Sequence, residues 1–126
     1  MVIGYEFTDE DLRYAPRRLR ELGARGSVVT HRYGCCAELT DEQGETALFV
    51  GRAPDVEVAS AVGSGDALVG GYAVKLLEGN SPRECLAFGL ACWAASMLRY
   101  GAGVLAAEDA DRLAEAVGLE LVEVDT

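Results

Sequence analysis

The feature that most constrains this chain is the turn Gly63-Ser64-Gly65-Asp66, which leads directly into an apolar run up to Tyr72. The glycines allow the backbone to turn tightly and to approach a ligand closely, and the apolar run predicts a helix from about Gly65. The first turn of a helix presents N–H groups without intrahelical partners and the positive end of the helix dipole. The sequence therefore predicts a site for an anion, such as a phosphate group, at this helix start.

Asp66 lies in the first turn of that helix, and two interpretations of its carboxylate stay open. Beside a bound phosphate, the carboxylate is a candidate general base for a hydroxyl group that attacks the phosphate, which indicates phosphoryl transfer. In the alternative, Asp66 only complements the helix dipole, and the turn simply joins a strand to a helix.

Length and charge limit the classes of partner. The 126 residues suffice for one modest domain, and the formal net charge is −10. Such a surface argues against nucleic acid and anionic membranes as partners, because both require basic patches. It does not exclude ATP, since a helix N-terminus can hold phosphate without a lysine. The longest uncharged stretch, Cys85 to Leu98, is too short to span a bilayer.

The cysteines and the N-terminal residues bear on metal binding and location. Cys35, Cys36, Cys85 and Cys92 form no Cys-x-x-Cys pair, and His31 is the single histidine, which together argue against a zinc site. Free cysteines are typical of a reducing compartment, and the first residues lack the basic segment of a secretory signal. We therefore expect a cytoplasmic protein in which Cys85 and Cys92 are small core residues.

Apolar periodicity and capping signals predict an alternation of helices and strands, and this pattern indicates helices packed on a mostly parallel sheet. The strongest boundary is Ser81-Pro82-Arg83-Glu84, which combines a serine cap, proline at the first position and glutamate three residues after the cap. The predicted helices are 8–22, 65–78, 82–100 and 107–117, and the predicted strands are 27–30, 35–39, 46–50, 56–58 and 119–124.

At this point the chain resembles the C-terminal part of a ribokinase-like carbohydrate kinase of the PfkB family. The resemblance covers nearly the whole chain and rests on the order of its pieces more than on the turn alone. The sequence from Ser60 to Asp66 resembles that of the family branch that includes 1-phosphofructokinases and tagatose-6-phosphate kinases. The pieces are Leu22-Gly23-Ala24 before Val28-Val29-Thr30, then Ser60-Ala61-Val62-Gly63-Ser64-Gly65-Asp66, the two helices that follow, and Gly101-Ala102-Gly103.

The resemblance implies a fold and a reaction. The fold is the C-terminal portion of a three-layer α/β/α arrangement, formed by residues 1–126 as a single segment. The reaction is ATP-dependent phosphoryl transfer to a hydroxyl group of a sugar or a sugar phosphate. Asp66 would take the proton from that hydroxyl group, while Gly63, Ser64 and Gly65 would form the anion hole for the transferring phosphoryl group.

The resemblance also implies a nucleotide site and cations. Thr30 and the loop after it would line the nucleotide site, and Leu90 and Ala94 would form part of the adenine wall. From the residues alone, Leu90 and Ala94 are ordinary core positions. Members of the family use Mg²⁺ with ATP, and a monovalent cation such as K⁺ binds near the anion hole. Backbone oxygens of Ser60, Val62, Ser96 and Gly101 fall in the cation region.

The chain departs from the family pattern at the nucleotide loop and on the long helix. Arg32 and Cys35 stand where the family has glycines, and Gly34 is the nearest glycine. Either the loop is shifted by one residue or the nucleotide contact is degraded. Trp93 stands where the family has a small residue, and we expect its ring to face the core.

The family's N-terminal part, with the sugar-binding residues, the lid and the Asn-x-x-Glu motif that organises magnesium, has no match in these residues. We therefore expect open strand edges and an incompletely covered helix from Pro82 to Leu98. A homodimer, or pairing with the missing N-terminal half, would cover both. Two alternatives to a kinase stay open: a non-catalytic nucleotide- or phosphate-binding remnant, and an assembly fragment.

Overall fold

The structure is a computed structural model, which describes residues 9–31, 33–54, 56–60, 62–99 and 105–122. The described residues form four helices and four strands, with three consecutive strands after the first helix and three consecutive helices before the last strand. The elements are α1 (Asp9–Glu21), β1 (Ser27–His31), β2 (Gly34–Thr40), β3 (Thr46–Arg52), α2 (Ser64–Leu77), α3 (Pro82–Met97), α4 (Ala107–Ala114) and β4 (Gly118–Val122).

The described strands form one antiparallel sheet in the order β1-β2-β3-β4. The predicted hairpin is present, and Asp41 Oδ1 closes its turn by accepting the amides of Gln43 and Glu45, both at 2.9 Å. The expectation of a mostly parallel sheet is wrong for these strands, because short connections join β1 to β2 and β2 to β3, and β4 returns antiparallel to β3 after the three helices α2, α3 and α4. Among the described strands, β1 and β4 lie at the two edges of this sheet.

The two faces of the sheet pack against different helices. Cys35, Ala37 and Phe49 belong to the buried cluster that also contains the apolar residues of α3. The opposite face of the sheet packs against α1. On this face Glu38 is buried, and its carboxylate forms an ion pair with Arg20 Nε at 3.1 Å. The arginines of α1 were expected to be solvated, and Arg20 is exposed although its Nε also pairs with a buried carboxylate.

Helix α3 occupies the centre of the core. Its start has the complete predicted capping box: the Ser81 hydroxyl accepts the Glu84 amide, and the Glu84 carboxylate accepts the Ser81 amide, both at 3.3 Å. The helix is buried almost all round, including Cys85 and Cys92, which confirms the core role predicted for these two cysteines. The expectation that α3 is incompletely covered is wrong, because β2, β3, α2 and α4 surround it.

Helix α2 packs on α3 through glycines. A methyl group added at Gly71 would lie 2.7 Å from Cys92 Sγ, and one added at Gly89 would lie 2.9 Å from the carbonyl oxygen of Leu68. The opposite side of α2 contacts no other described element. We call this side the outer face of α2, and it consists of Val69, Gly70, Ala73, Leu76 and Leu77, all exposed. The uncovered apolar surface therefore lies on α2 and not on α3.

Three predicted boundaries differ from the structure. Val56 to Val58 is not a strand. The amides of Ala59 and Ser60, which follow it, donate to the Met97 carbonyl oxygen at the end of α3 and not to a neighbouring strand. Helix α3 ends at Met97, and the predicted end at Tyr100 lies outside the described residues. Helix α4 ends at Ala114, since the chain turns there to begin β4 at Gly118.

Candidate functional site

The candidate site is built on the start of α2. Gly63 caps the helix with φ 81° and ψ 3°, a left-handed conformation that favours glycine over other residues. No side chain caps this end, and the first helical hydrogen bond runs from the Ala67 amide to the Gly63 carbonyl oxygen at 3.0 Å. By helix geometry, the amides before Ala67 have no intrahelical acceptor and are directed out of the helix start.

The segment before the turn is tied to the end of α3. The amides of Ala59 and Ser60 both donate to the Met97 carbonyl oxygen, at 2.7 and 3.2 Å. One residue further on, Ser60 Oγ accepts the Val62 amide at 3.3 Å. These bonds hold the approach to Gly63 against α3, so that the turn has a defined position relative to the core.

The turn combines an open approach with an exposed carboxylate. Asp66 is exposed in the first turn of α2, and none of the ion pairs in the described part of the chain involves it. A methyl group added at Gly65 would have no other atom within 4 Å, so the space beside this residue is open. Ser64 is buried. Amides that can hold an anion and a carboxylate that can accept a proton therefore lie within one helical turn.

A cavity of about 480 Å³ adjoins the segment that leads to this turn. It is formed by the β1–β2 connection, the loop after β3 and the C-terminal half of α3. Trp93 is 7% exposed, so its ring lies mostly in the core, as expected, but it also forms part of the cavity wall. The lining residues are Tyr33, Arg52, Ala53, Pro54, Val56, Val58, Trp93 and Met97.

The structure does not bring together the four residues predicted for the nucleotide site. Thr30 is exposed on β1, whereas Leu90 and Ala94 have no exposed surface and pack in the core. Gly34 pairs with Arg52 across β2 and β3, and a methyl group added there would collide with the carbonyl oxygen of Gly51. None of the four lines the 480 Å³ cavity. Their nucleotide role therefore stays a prediction.

Sequence reasoning missed most of the cavity wall. Tyr33 comes from the β1–β2 connection, Pro54 and Val58 come from the loop after β3, and no local sequence pattern connects the two segments. The signals available were Pro54, which marks the end of β3, and the single tryptophan, Trp93, in an otherwise small-residue helix. These signals mark positions in the chain and say nothing about which positions meet.

The cation region is described in part. Ser96 is fully buried, and its hydroxyl donates to the Trp93 carbonyl oxygen at 2.9 Å. Ser60 lies beside it, since its amide bonds to the next residue of α3, Met97. Gly101 lies outside the described residues. In the described ranges, no three His, Cys, Asp or Glu side chains come together as metal ligands.

The cysteines of this region lack the character of nucleophiles. Burial, together with a smaller contribution from the neighbouring Cys36 thiol, raises the pKa of the Cys35 thiol to about 12. Burial also raises the pKa of Cys85 and of Cys92. With raised pKa values these thiols are protonated at neutral pH, and they are inert because the thiolate is the reactive form.

Over the helices that the structure describes, none combines the length and apolarity needed to cross a membrane.

Comparisons with known proteins bear on the whole of this arrangement. The sequence profile of the pfkB family carbohydrate kinases matches residues 17–109. The fold is similar to that of a putative phosphofructokinase from Staphylococcus aureus, with a TM-score of 0.80 and 20% identity over 95% of this chain. No curated protein matches the chain at a significant level.

Two further solved structures are more similar in sequence. Phosphofructokinase-2 from Escherichia coli, in complex with potassium, is 28% identical over 87% of this chain, with a TM-score of 0.69. Ribokinase from Thermotoga maritima is 27% identical over 82% of this chain, with a TM-score of 0.66. The chain spans only 37%, 35% and 34% of the three proteins, in the order named.

These likenesses confirm the predicted ribokinase-like α/β fold class. The profile match covers well over half of the chain and includes both the turn at Gly63 and the helix pair α2 and α3. The chain belongs to the pfkB family of carbohydrate kinases.

Proposed function

We propose that this chain carries the phosphoryl-transfer turn of an ATP-dependent kinase that acts on a hydroxyl group of a sugar or a sugar phosphate. The observation that carries the proposal is the start of α2, where Gly63 in a left-handed conformation, open space at Gly65 and the exposed Asp66 carboxylate occupy one turn. Phosphoryl transfer requires positioning and charge stabilisation more than covalent chemistry, and this turn offers both.

In this mechanism ATP, when bound, supplies the phosphoryl group. The amides of Ser64, Gly65 and Asp66, with the glycine backbone at Gly63, hold the charge of the transferring group. The Asp66 carboxylate would accept the proton of the attacking hydroxyl group as the new P–O bond forms and the bond from the transferring phosphorus to the ADP leaving group breaks. Bonds from Ala59 and Ser60 to Met97 keep this turn fixed against α3, so little reorganisation is required.

We place the base of the nucleotide in the 480 Å³ cavity beside Trp93, and Tyr33, the residue before Gly34, also lines this cavity. The cavity volume lies within the range of about 300–1,000 Å³ typical of small-molecule sites. Leu90 and Ala94, which are fully buried on α3, would then act from the core and not by contact with the base. The indole edge offers a surface for base stacking.

The cations fit the described residues unequally. No carboxylate cluster in the described ranges is suited to Mg²⁺, so no step is assigned to a protein-held magnesium ion here, and we expect Mg²⁺ to accompany the nucleotide phosphates. Potassium is present in the Escherichia coli phosphofructokinase-2 structure. We assign the equivalent K⁺ site to backbone oxygens of Ser60, Val62, Ser96 and Gly101.

This chain would be a C-terminal segment of the kinase fold, and other parts of that fold would bind the sugar. The chain spans about a third of the solved kinases that it resembles. We propose that a second copy or an N-terminal kinase half completes the site. The outer face of α2 and the free edge of β1 supply apolar surface and backbone groups for such a contact.

The test is calorimetric titration of the chain with ADP and Mg²⁺. In the Gly65→Ala variant, the new methyl group occupies open space where the phosphate would lie, because Cβ atoms of a helix point toward its N-terminus. We expect the fold to be retained and the affinity for ADP to fall about 10-fold or more. Gly70→Ala, also in open space on α2, is the matched control and should leave binding unchanged.

Equal binding by both variants would contradict the anion hole, and no heat from the unmodified chain would contradict the nucleotide role. Asp66→Asn should keep ADP binding while it abolishes transfer in a complete kinase assembly. Activity of that variant would contradict the base.

One observation favours a second candidate, a non-catalytic nucleotide-binding remnant. Cys35, which replaces a family glycine, is fully buried in the core and cannot contact phosphate. For this candidate we expect ADP binding without any transfer, even when an N-terminal kinase half is supplied.

A further inference from the structure

A second cavity, of about 230 Å³, lies under the first half of α1 at the end of the sheet where β1 turns into β2. Its floor comes from one face of the sheet, since Cys36 pairs with Val50 and Val50 pairs with Glu120 in the strand register. Helix α3 packs on the other face of the sheet. The residues that line this cavity are Leu12, Arg13, His31, Tyr33, Cys36, Val50, Gly51, Arg52 and Glu120.

Two arginines from different elements face this cavity. Arg13 comes from α1 and is half-buried, whereas Arg52 ends β3. In the described ranges, five ion pairs occur, and neither guanidinium takes part in one.

His31 also lines the cavity, and its Nδ1 accepts the Tyr33 amide at 3.2 Å. Among the described residues that line the cavity, Glu120 is the acidic one. Because both arginines line one small volume, an anion bound between them would be attracted by two positive charges.

We propose that this cavity is a second anion-binding site, which takes a small metabolite that bears a phosphate or a carboxylate group. Guanidinium groups match both anions through paired N–H donors. The volume is below the roughly 300–1,000 Å³ of sites for larger ligands, which favours a small molecule. This proposal is independent of the phosphoryl-transfer site, which lies at the start of α2.

The test follows backbone amide shifts by NMR during separate titrations with inorganic phosphate and with citrate. A ligand in this cavity shifts the amides of Val50 and Gly51, whereas phosphate at the start of α2 shifts those of Gly65 and Asp66. The two probes distinguish phosphate from carboxylate preference, and binding of either one at Val50 and Gly51 supports the proposal.

Two substitutions with opposite expected effects sharpen this test. Arg13→Gln removes a donor and should weaken binding by about 10-fold or more. Glu120→Gln removes the opposing carboxylate and should tighten binding by about 2-fold or more. Arg25→Gln and Glu108→Gln change the same charges on exposed residues that do not line the cavity, and both should leave binding unchanged.

Three results would overturn the proposal. The first is the absence of shifts at Val50 and Gly51 with either probe. The second is binding that responds to the Arg25 and Glu108 controls as much as to Arg13 and Glu120, which would indicate net charge alone. The third is displacement of the anion by ADP in direct competition, which would make the cavity part of the nucleotide site through the shared Arg52 and Tyr33.

Discussion

Helices α2 and α3 have similar lengths and similar apolar compositions, yet the structure treats them in opposite ways. Leu90 in the middle of α3 is 0% exposed, whereas Leu77 near the end of α2 is 89% exposed. Helix α3 starts with a complete capping box, and α2 starts with a bare glycine turn. The difference separates a helix that builds the core from one that offers a site at its start and apolar surface along its side.

The largest effect should come from truncation of the two leucines. We expect Leu90→Ala to lower the free energy of unfolding by about 2–5 kcal/mol, because it leaves a cavity in a core without exposed surface. Leu77→Ala should change it by less than about 0.5 kcal/mol, since the side chain is already in solvent. Urea unfolding of both variants checks this, and equal losses would show that α2 is buried in solution.

The next effect concerns the glycines of the two helices. Gly89→Ala brings a methyl group to 2.9 Å from the Leu68 carbonyl oxygen, so we expect a loss of about 1–3 kcal/mol as α2 is pushed away. Gly70→Ala meets no atom and should stabilise α2 by about 0.5–1 kcal/mol through helix propensity. Thermal unfolding measures both signs. A stabilised Gly89→Ala variant would contradict the close crossing of α2 and α3.

The smallest effect concerns the helix starts. Ser81→Ala removes the hydroxyl that accepts the Glu84 amide and should cost about 1 kcal/mol. The loss should be matched by faster amide exchange in the first turn of α3, while the first turn of α2 stays unchanged. Exchange that accelerates equally in both helices would mean that the capping box stabilises the whole core and not its own helix.

The sequence was most informative where structure depends on neighbours along the chain. The Ser81 capping box, the hairpin around Asp41 and the glycine turn at Gly63 were all predicted from local residues. Strand direction was not, because it depends on which distant segments pair. The strand predicted at Val56 also depended on a distant partner. The residues that follow it, Ala59 and Ser60, donate their amides to the Met97 carbonyl oxygen instead.

The same distinction between local and distant residues applies to the candidate site. Asp66 and its glycines could be proposed as a site from the sequence because their chemistry lies within four consecutive residues. The two cavities could not, because each joins side chains from three or more elements, as Arg13, Arg52 and Glu120 show. The resemblance to a family supplied roles for Leu90 and Ala94, but their burial is a property of this chain's packing.

The Met97 carbonyl oxygen accepts two amides, those of Ala59 and Ser60, and Met97 also lines the cavity beside Trp93. Met97 therefore both accepts the hydrogen bonds that hold the segment before the glycine turn and forms part of the cavity wall that a base would contact. We expect any molecule that displaces the end of α3 to move the turn in the same direction, so that occupancy of the cavity is transmitted to the phosphate position through a single peptide unit.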